Sequence, residues 1–121
     1  MSPNVIINRV KAILERLGIP APPDDVIGAE IDIDEEFIGE GYGIPSCESI
    51  AVIREVSQAD GVFLGPVYTG KGFAGMLSHL RQGKLPFGAN IVFLHTGDTV
   101  NLFETSTIVG GIAEGSPAAL A

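Results

Sequence analysis

A single cysteine, Cys47, and two histidines, His79 and His95, are all the thiol or imidazole ligands that 121 residues offer. One thiol excludes an internal disulfide framework and any multi-thiolate zinc site, and without a Cys/His cluster little remains to hold a metal. Basic residues are scarce too: seven Lys and Arg stand against fifteen Asp and Glu, a formal net charge of −8. Neutralising phosphates takes clustered cations, so no nucleic-acid partner is expected. No run approaches the ~18 unbroken apolar residues of a membrane-spanning helix, so no membrane partner is expected. Arg9, Lys11, Glu15 and Arg16 interrupt the first apolar pattern, which therefore lacks the basic-then-apolar order of a secretory leader. At 45% hydrophobic the chain is too apolar for intrinsic disorder, and the expectation is one layered, cytoplasmic domain.

The charges that are present divide unevenly. Eleven acids lie between Asp24 and Asp60 against Arg54 alone, whereas Gly61 to Gly97 contains no acid, only Lys71, Arg81 and Lys84 as full cations. Such a division suits either a small-anion site or two differently solvated faces.

Ser2-Pro3 reads as an N-cap followed by proline at the first helical position, and Val5, Ile6, Val10, Ile13, Leu14 and Leu17 recur at helical spacing up to Gly18. A helix over Pro3 to Leu17 is expected. Prolines at 20, 22 and 23 make Ile19 to Asp25 a rigid, non-helical linker. Ala29, Ile31 and Ile33 alternate with Glu30, Asp32 and Asp34, the pattern of a short half-buried strand. Gly39 to Pro45 (GEGYGIP) holds three glycines and a proline, hence a loop with demanding backbone geometry. Ser46 caps a second expected helix, with Ile50, Ile53, Val56 and Ala59 on one face and Asp60-Gly61 at its end. Val62 to Leu64 reads as a buried strand. A third helix follows over Gly70 to Arg81, with Gly83 after it, and Ile91 to Leu94 reads as another buried strand.

Strands separated by single helices must cross over, which makes them parallel and right-handed. The expected fold is therefore α/β: three layers, with a short parallel sheet and crossover helices. Pro66–Gly70 and His95–Asp98 then follow the carboxyl ends of neighbouring strands, the edge where open α/β sheets bind ligands. Three strands leave an edge unpaired, which calls for another segment or another subunit. Glu104 to Ala121 is small-residue-rich and aperiodic, and is expected to be a flexible tail (104–121) behind a domain of residues 1–103.

Three motifs, GEGYGIP at 39–45, PVYTGK at 66–71 and LHTG at 94–97, stand in this order. Together they resemble the C-terminal part of the D-cysteine desulfhydrase and 1-aminocyclopropane-1-carboxylate deaminase family, pyridoxal-phosphate enzymes of the tryptophan synthase β type with a two-domain α/β fold. The resemblance runs through Met1 to Phe103. It implies pyridoxal phosphate as cofactor, a small amino acid as substrate, Tyr42 and Tyr68 as catalytic tyrosines, and Thr96, Thr69 and Gly97 beside the cofactor. Thr69, where the deaminases resemble one another in carrying glutamate, and HTG rather than HLG are similar to the desulfhydrase side, whose elimination gives sulfide, ammonia and pyruvate. A deaminase-like activity is the alternative. An uncharged partner at the pyridine nitrogen also makes a weaker electron sink, which suits loss of a good leaving group.

Two departures stand out. The family's second glycine after HTG is Asp98 here. The lysine that binds the cofactor and the Gly-rich phosphate loop lie earlier in the family's chains and have no counterpart here, so the resemblance implies about the last third of an enzyme, inactive without a complementary N-terminal segment. A homo-oligomer, a non-catalytic remnant and a small anion-binding α/β module are the other readings. Taken singly, each residue also has a plain structural reading: Tyr68 and Tyr42 as packed turn residues, Thr96 as a turn former, His95 as hydrogen-bonded structure closing a strand, Lys71 as solvation of a helix start, and Cys47 as an unassisted thiol in a first turn.

Overall fold

A computed structural model of the chain describes residues 2–113 and divides them into two compact units, one up to Glu35 and one from Glu36 onward. The first contains α1 (Pro3–Arg16) and α2 (Asp24–Ala29). Proline opens α1 without losing a helical bond, and Gly18 closes it in the left-handed region at φ +69°, where Ile19 N–H donates to Leu14 O at 2.9 Å. Ile7 and Ile27 are the buried side chains of this unit, and Lys11 pairs with Asp24 at 2.6 Å on its surface.

The second unit is built on α3 (Cys47–Asp60), α4 (Thr69–Arg81), α5 (Thr99–Glu104) and α6 (Ser106–Ala113). Ser46 caps α3 as the sequence indicates: its hydroxyl accepts from Ser49 N–H at 3.1 Å, while Ser49 Oγ accepts from Ser46 N–H at 3.0 Å. Val52, Ile53 and Val56 form the buried stripe of α3, and Leu64, Ala74, Leu102 and Ile108 close the core around it. Gly70, in the first turn of α4, lets that helix start against the loop before it, since a Cβ there would lie 2.8 Å from Gly65 O and from Ile53 Cδ1.

Three expectations meet a different structure. Residues 31–33, 62–64 and 91–94 carry no regular secondary structure, and no strand forms among the described residues. A strand exists by its ladder, so the short parallel sheet of the α/β expectation is not seen among them. Asp24 to Ala29 is helical rather than linker and strand, because Pro23 sits just before the helix and two acids occupy its first turn. Part of the segment expected as a tail is helical: 106–113 forms α6, Ile108 is 1% exposed, and Arg54 holds the helix through a 3.0 Å bond to Thr107 O. The remainder of that tail, 114–121, lies outside the described residues. No described helix is long and apolar enough to cross a membrane.

Candidate functional site

Although no strand forms among the described residues, the ends of the apolar runs 62–64 and 91–94 meet. Gly97 N–H donates to His95 Nδ1 at 3.1 Å, which leaves the ring proton on Nε2, and Nε2 donates to Phe63 O at 2.8 Å. His95 therefore joins the second run to the first, and both of its nitrogens are engaged. Thr69 adds a buried tie: its hydroxyl accepts from Gly65 N–H at 2.7 Å and donates to Gly97 O at 3.4 Å.

Asp98 completes the junction. It holds the left-handed conformation at φ +77°, uncommon for a residue with a side chain. Its Oδ2 accepts from both Val67 N–H and Tyr68 N–H at 2.8 Å, and its Oδ1 accepts from Asn101 Nδ2. Only glycine fits opposite it, because a Cβ on Gly65 would lie 2.3 Å from Asp98 Cγ.

Tyr68 projects from this junction, and its hydroxyl donates to the Tyr42 hydroxyl at 2.9 Å, the two rings lying edge to face with centroids 5.8 Å apart. The bond to Tyr42 raises the Tyr68 pKa above the ordinary 10.0, and the nearby Asp98 charge acts in the same direction. Tyr68 thus holds its proton at neutral pH. The Tyr42 loop is held in turn by Lys71, whose Nζ donates to Ile38 O at 2.6 Å and to Gly41 O at 3.0 Å.

Of the residues singled out from sequence, Tyr42 and Tyr68 come together across 26 positions of chain. Thr69 and Gly97 meet through a hydrogen bond, and Thr96 is exposed on the same segment. Cys47 is exposed in the first turn of α3. Lys71, read as solvation of a helix start, is instead 7% exposed. Sequence reasoning missed the grip of Asp98; its signal was an acid where the resemblance calls for glycine. No group of three metal-ligating side chains occurs among the described residues.

The same residues test whether the chain can hold pyridoxal phosphate by itself, and the fit is incomplete. Lys71 is buried and committed to two carbonyls, so its amine is not presented to a ligand. The turn amides that could cradle a phosphate, Val67 N–H and Tyr68 N–H, are taken by Asp98.

A family described as "Pyridoxal-phosphate dependent enzyme" matches residues 4–97. A protein of Thermotoga maritima named "Putative 1-aminocyclopropane-1-carboxylate deaminase" is 37% identical over 75 residues, which are 62% of this chain and 23% of that protein. The match therefore spans less than a quarter of the relative's length.

Proposed function

The chain belongs to the pyridoxal-phosphate dependent enzymes, and from that premise we propose that it is the C-terminal part of an enzyme acting on a small amino acid. Its share of the active site is the Tyr42–Tyr68 hydroxyl pair, and that pair, 2.9 Å apart at the junction of the two apolar runs, carries the reading. Pyridoxal phosphate supplies the electron sink for such chemistry when bound. The covalent lysine and the phosphate cradle come from a second, N-terminal segment, since Lys71 and the turn amides are already engaged.

Tyr68 keeps its proton near neutral pH and serves as a positioned donor, with Tyr42 as the group that accepts its hydrogen bond and fixes its orientation. Thr96 and Gly97, on the same junction, are the residues proposed to line the cofactor's side of the site. Thr69 reaches it only by giving up its two backbone bonds. The apolar run Ile91–Leu94, with Val92 and Leu94 exposed, is where a strand of the second segment pairs with this chain.

The substrate reading is elimination of sulfide from D-cysteine, resting on the uncharged Thr69 and Thr96. The name of the Thermotoga maritima relative favours a second one, deamination of 1-aminocyclopropane-1-carboxylate. The test is reconstitution with a complementary N-terminal segment, followed by assay of sulfide and of ammonia from the two substrates. Tyr68→Phe is expected to lower turnover by roughly 10²–10⁴. Turnover that survives this substitution, or a chain that turns over either substrate by itself, overturns the proposal.

A further inference from the structure

The two tyrosines have little packing to hold them. Tyr42 is 81% exposed and Tyr68 55%, yet their hydroxyls meet in a defined hydrogen bond. Two exposed side chains held in one geometry lose rotamer freedom, so their alignment depends on how firmly their backbones are fixed. Neither tyrosine lies inside a helix. Tyr42 belongs to the loop before α3, and Tyr68 is the residue immediately before α4, with φ −123° and ψ −63°.

Each backbone is fixed by one charged side chain of opposite sign. Lys71 reaches the Tyr42 loop, where its ammonium binds the carbonyls of Ile38 and Gly41, the latter belonging to the residue directly before Tyr42. Gly39 lets this loop turn, since it holds the left-handed region at φ +73°. Asp98 reaches the other side, where one carboxylate oxygen binds the N–H of Tyr68 itself and that of Val67. Hydrogen bonds to a charged group are shorter and stronger than neutral ones, and a cation suits carbonyls as an anion suits amides. A buried cation without such acceptors would be costly, so Lys71 at 7% exposure and the loop carbonyls stabilise one another.

We propose that Lys71 and Asp98 are the positioning residues of the Tyr42–Tyr68 pair, the lysine aligning Tyr42 through its loop carbonyls and the aspartate aligning Tyr68 through its backbone amide. The proposal deepens the reading of the pair as an active-site element and rests on it for its functional meaning. Its geometric content is separate and can be tested without cofactor or substrate.

The composition makes that test clean. The chain has two tyrosines and no tryptophan, so phenolate absorbance and the tyrosine band of the near-ultraviolet circular dichroism, which lies at longer wavelength than the bands of the six Phe, report on this pair. In the full chain, part of the phenolate absorbance is expected to appear only above the ordinary tyrosine value, because Tyr68 holds its proton through its bond to Tyr42. Lys71→Met and Asp98→Gly should each bring that part down toward the ordinary tyrosine value and remove most of the tyrosine near-ultraviolet signal, while the far-ultraviolet helix signal stays. Asp98→Asn, which keeps an acceptor oxygen and tolerates the left-handed backbone, should restore part of both. An unsubstituted chain with no part of its phenolate titration raised overturns the proposal whatever the variants do. So does an unchanged titration and tyrosine circular dichroism in a folded Lys71→Met or Asp98→Gly chain. If Lys71→Met loses its helix signal, the Asp98 pair of variants decides. A raised titration that falls back as expected in the variants, beside a reconstituted enzyme indifferent to Tyr68→Phe, would uphold the positioning and overturn only the proposed function.

Discussion

Val62-Phe63-Leu64 and Ile91-Val92-Phe93-Leu94 are nearly the same run of residues, and they end differently. Leu64 is fully buried in the core formed by α3 to α6, whereas Leu94 is 78% exposed and Val92 91%. Phe93 alone turns inward, meeting Phe73 of α4 with ring centroids 4.9 Å apart. In the first run Leu64 alone is buried against the helices, Val62 and Phe63 being 42% exposed; in the second only Phe93 finds a partner. An apolar run therefore states a demand for burial, and only the neighbours decide whether it is met.

The largest effect that sharpens this contrast is expected from a matched pair of truncations. Leu64→Ala removes a side chain with no exposed surface and should destabilise the chain by about 2–5 kcal/mol in a denaturant melt. Leu94→Ala should stay within about 0.5 kcal/mol, because an exposed leucine loses little when shortened. Equal costs would mean that the second run is packed as well as the first.

A smaller effect is expected where the two runs join. Gly65→Ala drives a Cβ into Asp98 and should cost about 1–3 kcal/mol, the range for overpacking. Adding Asp98→Gly should recover part of that loss, because the clash is with that side chain and with its backbone. A Gly65→Ala chain as stable as the original would separate the two run ends.

The smallest effect lies in alkali. The Tyr68 pKa in the folded chain is raised above its unfolded value, so its contribution to stability is complete below pH 10 and is lost as pH rises through the higher folded value. Tyr42→Phe should make the alkaline limb of a stability-against-pH curve shallower, since it removes the acceptor that raises that pKa. An identical limb in the two chains would break the link between the tyrosine bond and stability.

These contrasts mark how far the sequence could be read. The first, second and third expected helices appear with their ends within a residue or two, because Pro3, Gly18, Ser46, Gly61 and Gly83 act on backbone groups a turn away. Asp24 to Ala29 was hidden by the prolines that precede it, and 106–113 by small residues whose one deep contact, Ile108, lies far along the chain from the core it enters. The tyrosines of the candidate site were legible through the three motifs. The roles of Lys71 and Asp98 were not, because a lysine at a helix start and an acid after a glycine look like solvated groups until their partners are placed.

The sequence by itself determined three of the six described helices with their ends, the lack of thiols for a thiolate metal site and the positions of the motifs. These follow from composition and from interactions within a few residues. Tertiary structure alone decided that Leu64 is buried while Leu94 is not, that Tyr68 meets Tyr42, and that Lys71 and Asp98 each hold one tyrosine's backbone. Those contacts join residues 26 to 30 positions apart. No local propensity specifies such a pairing; it forms only when packing of α3 and α4 has already brought the loops together and offset the entropy of ordering them.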